Sequence, residues 1–181
     1  MFTSGASFIF NFNRVYCCFQ KMIAIKKAST DTDTALCYKL RVEVFCQEQG
    51  ISEELEIDEL DKSCHQWLAL EAQDGCKEGL PVGVARLNFV PSSAESKEML
   101  GKIGRVAVLR SHRKRGIAKA IILAIEEFIC TEQPHVQRTF LHAQHDKAMF
   151  YSKLGYSIAD PTASPFMEDG ILHVKMAKSL S

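Results

Sequence analysis

An α/β fold, with a mixed sheet and helices packed on its faces, is what this 181-residue sequence predicts. Three observations carry the expectation. Short alternating apolar stretches recur, as in residues 65–72 (HQWLALEA) and 82–89 (VGVARLNF). Ile117, Ile121, Ile125 and Phe128 form a single helical stripe directly after one such stretch. The order along the chain is β-α, a run of strands, then β-α-β-α-β-β, which interleaves the two element types in one layered domain.

The elements follow in order. Residues 22–27 (MIAIKK) alternate, with Ile23 and Ile25 on one face, and predict a short strand. Residues 29–45 supply Ser, Thr and Asp as capping residues, then Leu36, Leu40 and Val44 at helical spacing. Residues 46–62 read as an acidic connection. The strands at 65–72 and 82–89 are joined by a turn-rich segment with Gly75, Gly79 and Pro81, and 91–100 (PSSAESKEML) reads as a loop. Residues 102–108 (KIGRVAV) form a strand, followed by the helix with the isoleucine stripe. Residues 138–144 (RTFLHAQ) form a strand, and 146–155 (DKAMFYSKLG) a short helix with Asp146 as N-cap and Gly155 as its stop. Residues 156–159 and 171–177 complete the sheet. Trp67, inside an alternating strand, reads as core.

Bulk properties exclude several classes. The chain carries 22 basic and 22 acidic residues, so no global field favours nucleic acid or an anionic membrane. Its charges are nonetheless segregated. Residues 102–119 hold seven Lys or Arg and no acid, and residues 48–61 hold seven acids and no base. Seven irregularly spaced cysteines without a C-x-x-C pair argue against a disulfide framework and for a reducing, intracellular setting. A cytoplasmic location is expected, with a mitochondrial or nuclear address left open. His142 and His145 have H-x-x-H spacing but no neighbouring ligand to complete a metal site, so no metal is expected. No apolar run approaches the ~18 residues of a membrane helix. Residues 1–21 hold five phenylalanines, no acid and few bases, and resemble neither a secretory signal nor a strongly basic presequence. The expectation is an extension outside the fold, with the domain running from 22 to 181.

The basic turn after residue 108 is the most informative stretch. Arg113, Lys114, Arg115 and Gly116 stand between a strand and a helix. A helix N-terminus presents unpaired amides and a positive dipole end, which together bind phosphate. Gly116 permits a close backbone approach, and Ala118 is the next small residue. The pattern suits a pyrophosphate. The P-loop spacing and the three-glycine dinucleotide fingerprint are both absent.

Arg113-Lys114-Arg115-Gly116-Ile117-Ala118 resembles the (Gln/Arg)-x-x-Gly-x-(Gly/Ala) signature of the GNAT superfamily of N-acetyltransferases. The preceding RVAV resembles that family's splayed strand, and MFYSKLGYS its FYxKxGF segment. LRVEVFCQEQGI, EIDELDKSCH and FMEDGILHVKM are similar to the ElaA-like or YjcF-like branch. The resemblance spans roughly residues 22–178. It implies a mostly antiparallel mixed sheet with a central, splayed parallel strand pair. It also implies acetyl-CoA as co-substrate and direct attack of a primary amine, small-molecule or protein-borne, on the thioester. The backbone of Val106, Ala107 and Val108 would meet the pantetheine arm and thioester, and residues 113–118 (Arg113, Lys114, Arg115, Gly116, Ile117, Ala118) the phosphates. Tyr151 would protonate the departing thiolate, since a phenol (pKa ~10) stays protonated above a thiol (~8.5). Two departures stand out. Lys114 replaces a usual glycine, and Gln144 stands near the position of a pantetheine-binding Asn.

Candidates for the base and acceptor pocket are Glu48 first, then Gln49, the cluster Glu56, Asp58 and Asp61, and His173. The acidic patch over residues 48–61 favours a cationic amine such as a polyamine, an amino sugar or lysine. Glucosamine 6-phosphate is an alternative acceptor, for which Arg41, Arg86 or Lys102 would bind the phosphate. A non-catalytic acyl-CoA-binding module is a second alternative, and a nucleic-acid role for residues 110–119 is disfavoured by the neutral net charge. A second copy of the chain, as a homodimer, is retained as a partner.

Overall fold

The computed structural model describes residues 14–18, 21–73 and 76–180. Among these described residues, nine strands form one sheet in the order β1-β2-β3-β4-β5-β6-β9-β7, with β8 pairing on β9. The strands are β1 (Arg14–Cys18), β2 (Lys21–Lys27), β3 (His65–Gln73), β4 (Cys76–Pro91), β5 (Met99–Val108), β6 (Arg138–Gln144), β7 (Ser157–Ile158), β8 (Phe166–Glu168) and β9 (Ile171–Ser179). Four α-helices accompany them: α1 (Asp31–Arg41), α2 (Glu53–Glu56), α3 (Ile117–Glu132) and α4 (Ala148–Ser152). The mixed sheet with helices on both faces is as the sequence predicts.

All strand pairings are antiparallel except that of β5 with β6. This parallel junction is short, joining only Gly101 to Thr139 and Lys102 to Phe140. Beyond it the two strands splay, leaving one edge of residues 103–108 facing a gap. A bulge bends the other edge. Val84 pairs with Ala107 but Arg86 with Gly104, so β5 carries one extra residue, and Arg105 takes a left-handed φ of 52°.

Alternation on β3 divides the interior into two cores. Trp67 and Ala69 face α3 and its stripe of Ile117, Ile121, Ile125 and Ile129. Leu68 and Leu70 face the opposite way, onto Cys37, Leu40, Val44 and Phe45. Gly83 lets α3 sit close to β4. A Cβ there would come within 3.0 Å of Ile117 Cγ2 and Ile121 Cδ1.

Several local expectations change. The helix over 29–45 is capped by Thr30, whose hydroxyl accepts from the Asp33 N–H at 3.1 Å. After Arg41, however, the chain widens into π-helical turns over Val42–Glu48. The acidic connection is not a loop but contains α2 and a 3-10 turn, Glu59–Lys62. Asp146 is not an N-cap. It lies inside a 3-10 turn, His145–Lys147, and its carboxylate pairs with Lys147. Gly155 does end the segment, at φ 91°. Residues 14–18, expected outside the fold, pair antiparallel with β2 over five positions. A boundary at Met22 would separate β1 from its partner β2. Residues 1–13 and the turn at Gly75 lie outside the described residues.

Candidate active site

The basic turn follows β5 as a 3-10 turn, Arg110–His112, and leads into α3 with Gly116 as N-cap at φ 78°. The first helical hydrogen bond runs from the Ala120 N–H to Gly116 O at 3.0 Å. The amides of Ile117, Ala118 and Lys119 thus have no carbonyl acceptor in their own helix, and no side chain caps them. A Cβ at Gly116 would meet nothing within 4 Å, so the space above the helix end is open. Lys114 also adopts a left-handed φ, 63°, at the position where glycine would be unstrained.

Two arginines of this turn find acids far away in sequence. Arg113 forms a bidentate pair with Glu48, 2.7 Å in both bonds, and its Nε donates to Val108 O at 3.0 Å. Arg115 donates to the buried Glu71 at 2.8 Å, and His112 lies 3.4 Å from the same carboxylate. These contacts pin the turn to the helix segment on one side and to β3 on the other. Arg115, expected among the coenzyme contacts, does not line the cavity described next; its neighbours on either side do.

A cavity of about 810 Å³ runs from the N-terminus of α3 through the splay between β5 and β6. Lys114, Gly116, Ile117 and Ala118 line one end, and Val106, Ala107 and Val108 the wall along β5. Tyr151, Phe150 and Gln144 close in from the far side, with Glu48 and Gln49 opposite. The volume suits a ligand of cofactor size. Burial pushes the Tyr151 phenol up to about 12, so it is protonated throughout the physiological range. Glu48 is held below the ordinary carboxylate value by its hydrogen bonds from Arg113, which makes it a weak proton acceptor. The Gln144 amide donates to Gln49 Oε1 at 3.0 Å, bridging β6 and the end of the π-helical turns.

The acidic cluster proves to be a structural ion network. Arg41, fully buried, contacts Glu56 and Asp61 at 2.6 Å each. Arg86 contacts Asp58 at 2.8 Å and Asp61 at 3.0 Å, while Arg105 contacts Glu56 at 3.0 Å. Three carboxylates are thereby matched by three guanidiniums. These three carboxylates therefore offer no surplus negative charge to a cationic amine. Arg41 and Arg86 are equally committed, so a sugar phosphate would retain only Lys102 of its three expected cations. His173 lines the cavity, and its Nδ1 lies 2.8 Å from Ile171 O.

Sequence reasoning missed one pair in the cavity wall. His142 Nδ1 lies 2.8 Å from Glu168 Oε2. Glu168 stands on β8, a strand absent from the sequence reading. The signal was present: Asp169 (φ 52°) and Gly170 (φ 78°) make a two-residue hairpin turn between β8 and β9. The hydrogen bond with His142 holds the Glu168 carboxyl below its ordinary value.

Comparison with known proteins agrees with this geometry. Residues 41–180 match the family model of the acetyltransferase (GNAT) domain. The chain is 36% identical to the Bacillus subtilis (strain 168) protein YyaT over 160 residues, covering 87% of this chain and 96% of YyaT. It is 33% identical to YjcF of the same organism, described as an N-acetyltransferase, covering 78% and 89% of the two chains. The crystal structure of Escherichia coli ElaA has the same fold, with a TM-score of 0.67 at 24% identity over 87% of this chain and 99% of ElaA. The sheet is split at a short parallel junction, with the uncapped N-terminus of α3 beside it. The chain belongs to the GNAT acetyltransferase family.

Proposed function

We infer that the protein transfers an acetyl group from acetyl-CoA to a primary amine by direct attack. One observation carries this reading. A single cavity joins the uncapped N-terminus of α3 to the protonated Tyr151 along the unpaired edge of β5. The cradle amides at Ile117, Ala118 and Lys119 meet the diphosphate, with Lys114 adding charge. The residue 106–108 backbone meets the pantetheine arm and polarises the thioester carbonyl. Gln144 contributes a side-chain amide along the same path. Arg113 is occupied by Glu48 and Val108 O, so its part is to hold the turn rather than to grip phosphate. Glu48, committed first to Arg113, serves that clamp.

Tyr151 supplies the proton for the leaving sulfur. A phenol near 12 facing a thiol of ~8.5 makes complete transfer uphill in isolation. Its hydrogen bond therefore strengthens as charge develops on sulfur, and the proton passes over only as the new amide nitrogen gives one to the phenol oxygen. A panel of amines scored by thiol release from acetyl-CoA tests the reading. Turnover on at least one amine is expected, falling ~10²- to 10⁴-fold in Tyr151→Phe with coenzyme affinity retained. Tight coenzyme binding without turnover on any amine would instead define a non-catalytic acyl-CoA module.

A further inference from the structure

Building on the transferase reading above, we propose that His142 accepts the acceptor amine's proton and that Glu168 is its positioning residue. Both line the acetyl-transfer cavity. A carboxylate can only accept a hydrogen bond, so the 2.8 Å contact places the neutral ring's proton on Nδ1. Nε2 is then left with the lone pair, the arrangement a base requires. Packing fixes the ring as well. Phe166, from the same strand as Glu168, meets it edge-on at 4.9 Å, and Phe140 flanks it at 6.0 Å. The other acids considered are already committed: Glu48 to Arg113, Glu56 to Arg41 and Arg105, and Asp58 and Asp61 to Arg86.

The step balances without another reactant. The ammonium form of the acceptor gives one proton to His142 Nε2. The freed nitrogen lone pair attacks the acetyl carbon, a C–N bond forms, and the C–S bond breaks with its electron pair leaving on sulfur. Tyr151 gives its hydroxyl proton to that sulfur and recovers one from the amide nitrogen. His142 returns its proton to solvent.

Other charges share the cavity. Glu168 and Asp169 on the β8–β9 hairpin, Glu56 from α2, Lys102 and Arg105 from β5, and Lys147 all line it. On β9, Lys175 is paired in register with His142, and His173 is a second imidazole in the wall.

The test is the pH dependence of kcat/KM for the full chain with an amine from the panel, alongside acetyl-CoA affinity by calorimetry. Wild type is expected to lose activity at acid pH, where a protonated imidazole cannot accept. His142→Gln should slow transfer ~10²-fold or more, replace that limb with a steady rise toward alkaline pH, and bind acetyl-CoA within twofold of wild type. Added imidazole should restore part of the rate to His142→Ala. Glu168→Gln should move the acid limb to lower pH, a shift that mere loss of packing would not give. Wild-type rates and an unchanged acid limb in both His142 variants would overturn the proposal while leaving the transferase intact. No turnover by the wild-type chain on any amine would remove the transferase reading, and this assignment with it.

Discussion

Lys114 and Gly116 share a left-handed backbone, yet only one of them is glycine. A non-glycine residue there costs roughly 1–2 kcal/mol, so the chain carries strain at Lys114. On the proposed reading, the charge a lysine brings to the phosphates is the compensation. Lys114→Gly should therefore raise the melting temperature by roughly 2–4 °C, the shift expected for ~1 kcal/mol in a chain this size, while weakening acetyl-CoA binding. Gly116→Val should do the opposite on the first count and the same on the second. It strains the backbone at φ 78° and fills the space above the helix end, lowering coenzyme affinity at least tenfold, or ~1.4 kcal/mol. Thermal unfolding and calorimetry on the two variants separate backbone strain from coenzyme contact. If both variants bind acetyl-CoA like wild type, the turn is not the phosphate site.

At the level of elements, the network around Arg41 fastens α1 and the acidic connection to β4 and β5. Burial alone would raise Asp61, but the hydrogen bonds and charge of Arg41, helped by Arg86, bring it down to about 2. A carboxylate depressed in the folded state contributes stability above its unfolded pKa of ~3.9. That contribution is lost as pH falls through the folded value. For Asp61 it amounts to ~2–3 kcal/mol, disappearing between about pH 4 and pH 2. Glu56, raised by burial against Arg105 and Arg41, works in the opposite sense and blunts the loss. Asp61→Asn should destabilise the protein at neutral pH and flatten this acid limb in urea melts across that range. An acid limb as steep as wild type would show that other carboxylates set it. The elements around this network also mark how far the sequence could be read. Strands β3, β5 and β6 and helix α3 were legible because each has a clear period of two or 3.6. The π-helical turns were not, since Leu36, Leu40 and Val44 keep a helical spacing through them. Nor were the partners of the basic turn: Glu48 lies 65 residues from Arg113, and Glu71 44 residues from Arg115. The uncapped start of α3 at Gly116 could be read from a local motif, whereas His142 and Glu168 meet only once β6 and β8 have both packed against β9.

Across the whole molecule, β1 and the cavity stand at a distance, with β2, β3 and β4 between β1 and the splay. A chain beginning at Met22 should keep its acetyl-CoA affinity. Its melting temperature should fall by only a few degrees, because a five-residue edge strand adds a few hydrogen bonds of ~0.5–1.5 kcal/mol each, largely offset by chain entropy. The same truncation leaves β2 as an open edge, so the shortened chain should aggregate at lower concentration, as measured by light scattering. A fall of many degrees, or weaker coenzyme binding, would mean that residues 1–21 pack on the domain more extensively than β1 alone.

The parallel junction of β5 and β6, two residue pairs long, sorts the chain into two jaws. On the proposed reading the donor's handle sits on the first, in the stretch from Val106 to Lys119. The second, from β6 through the β8–β9 hairpin, presents His142 and Glu168. The β8 strand of the hairpin pairs with β9, away from β5, so changes of residue or length there leave the proposed handle where it is. A molecule divided in this way can take up a new acceptor by redrawing one jaw, without having to learn again how to hold its donor.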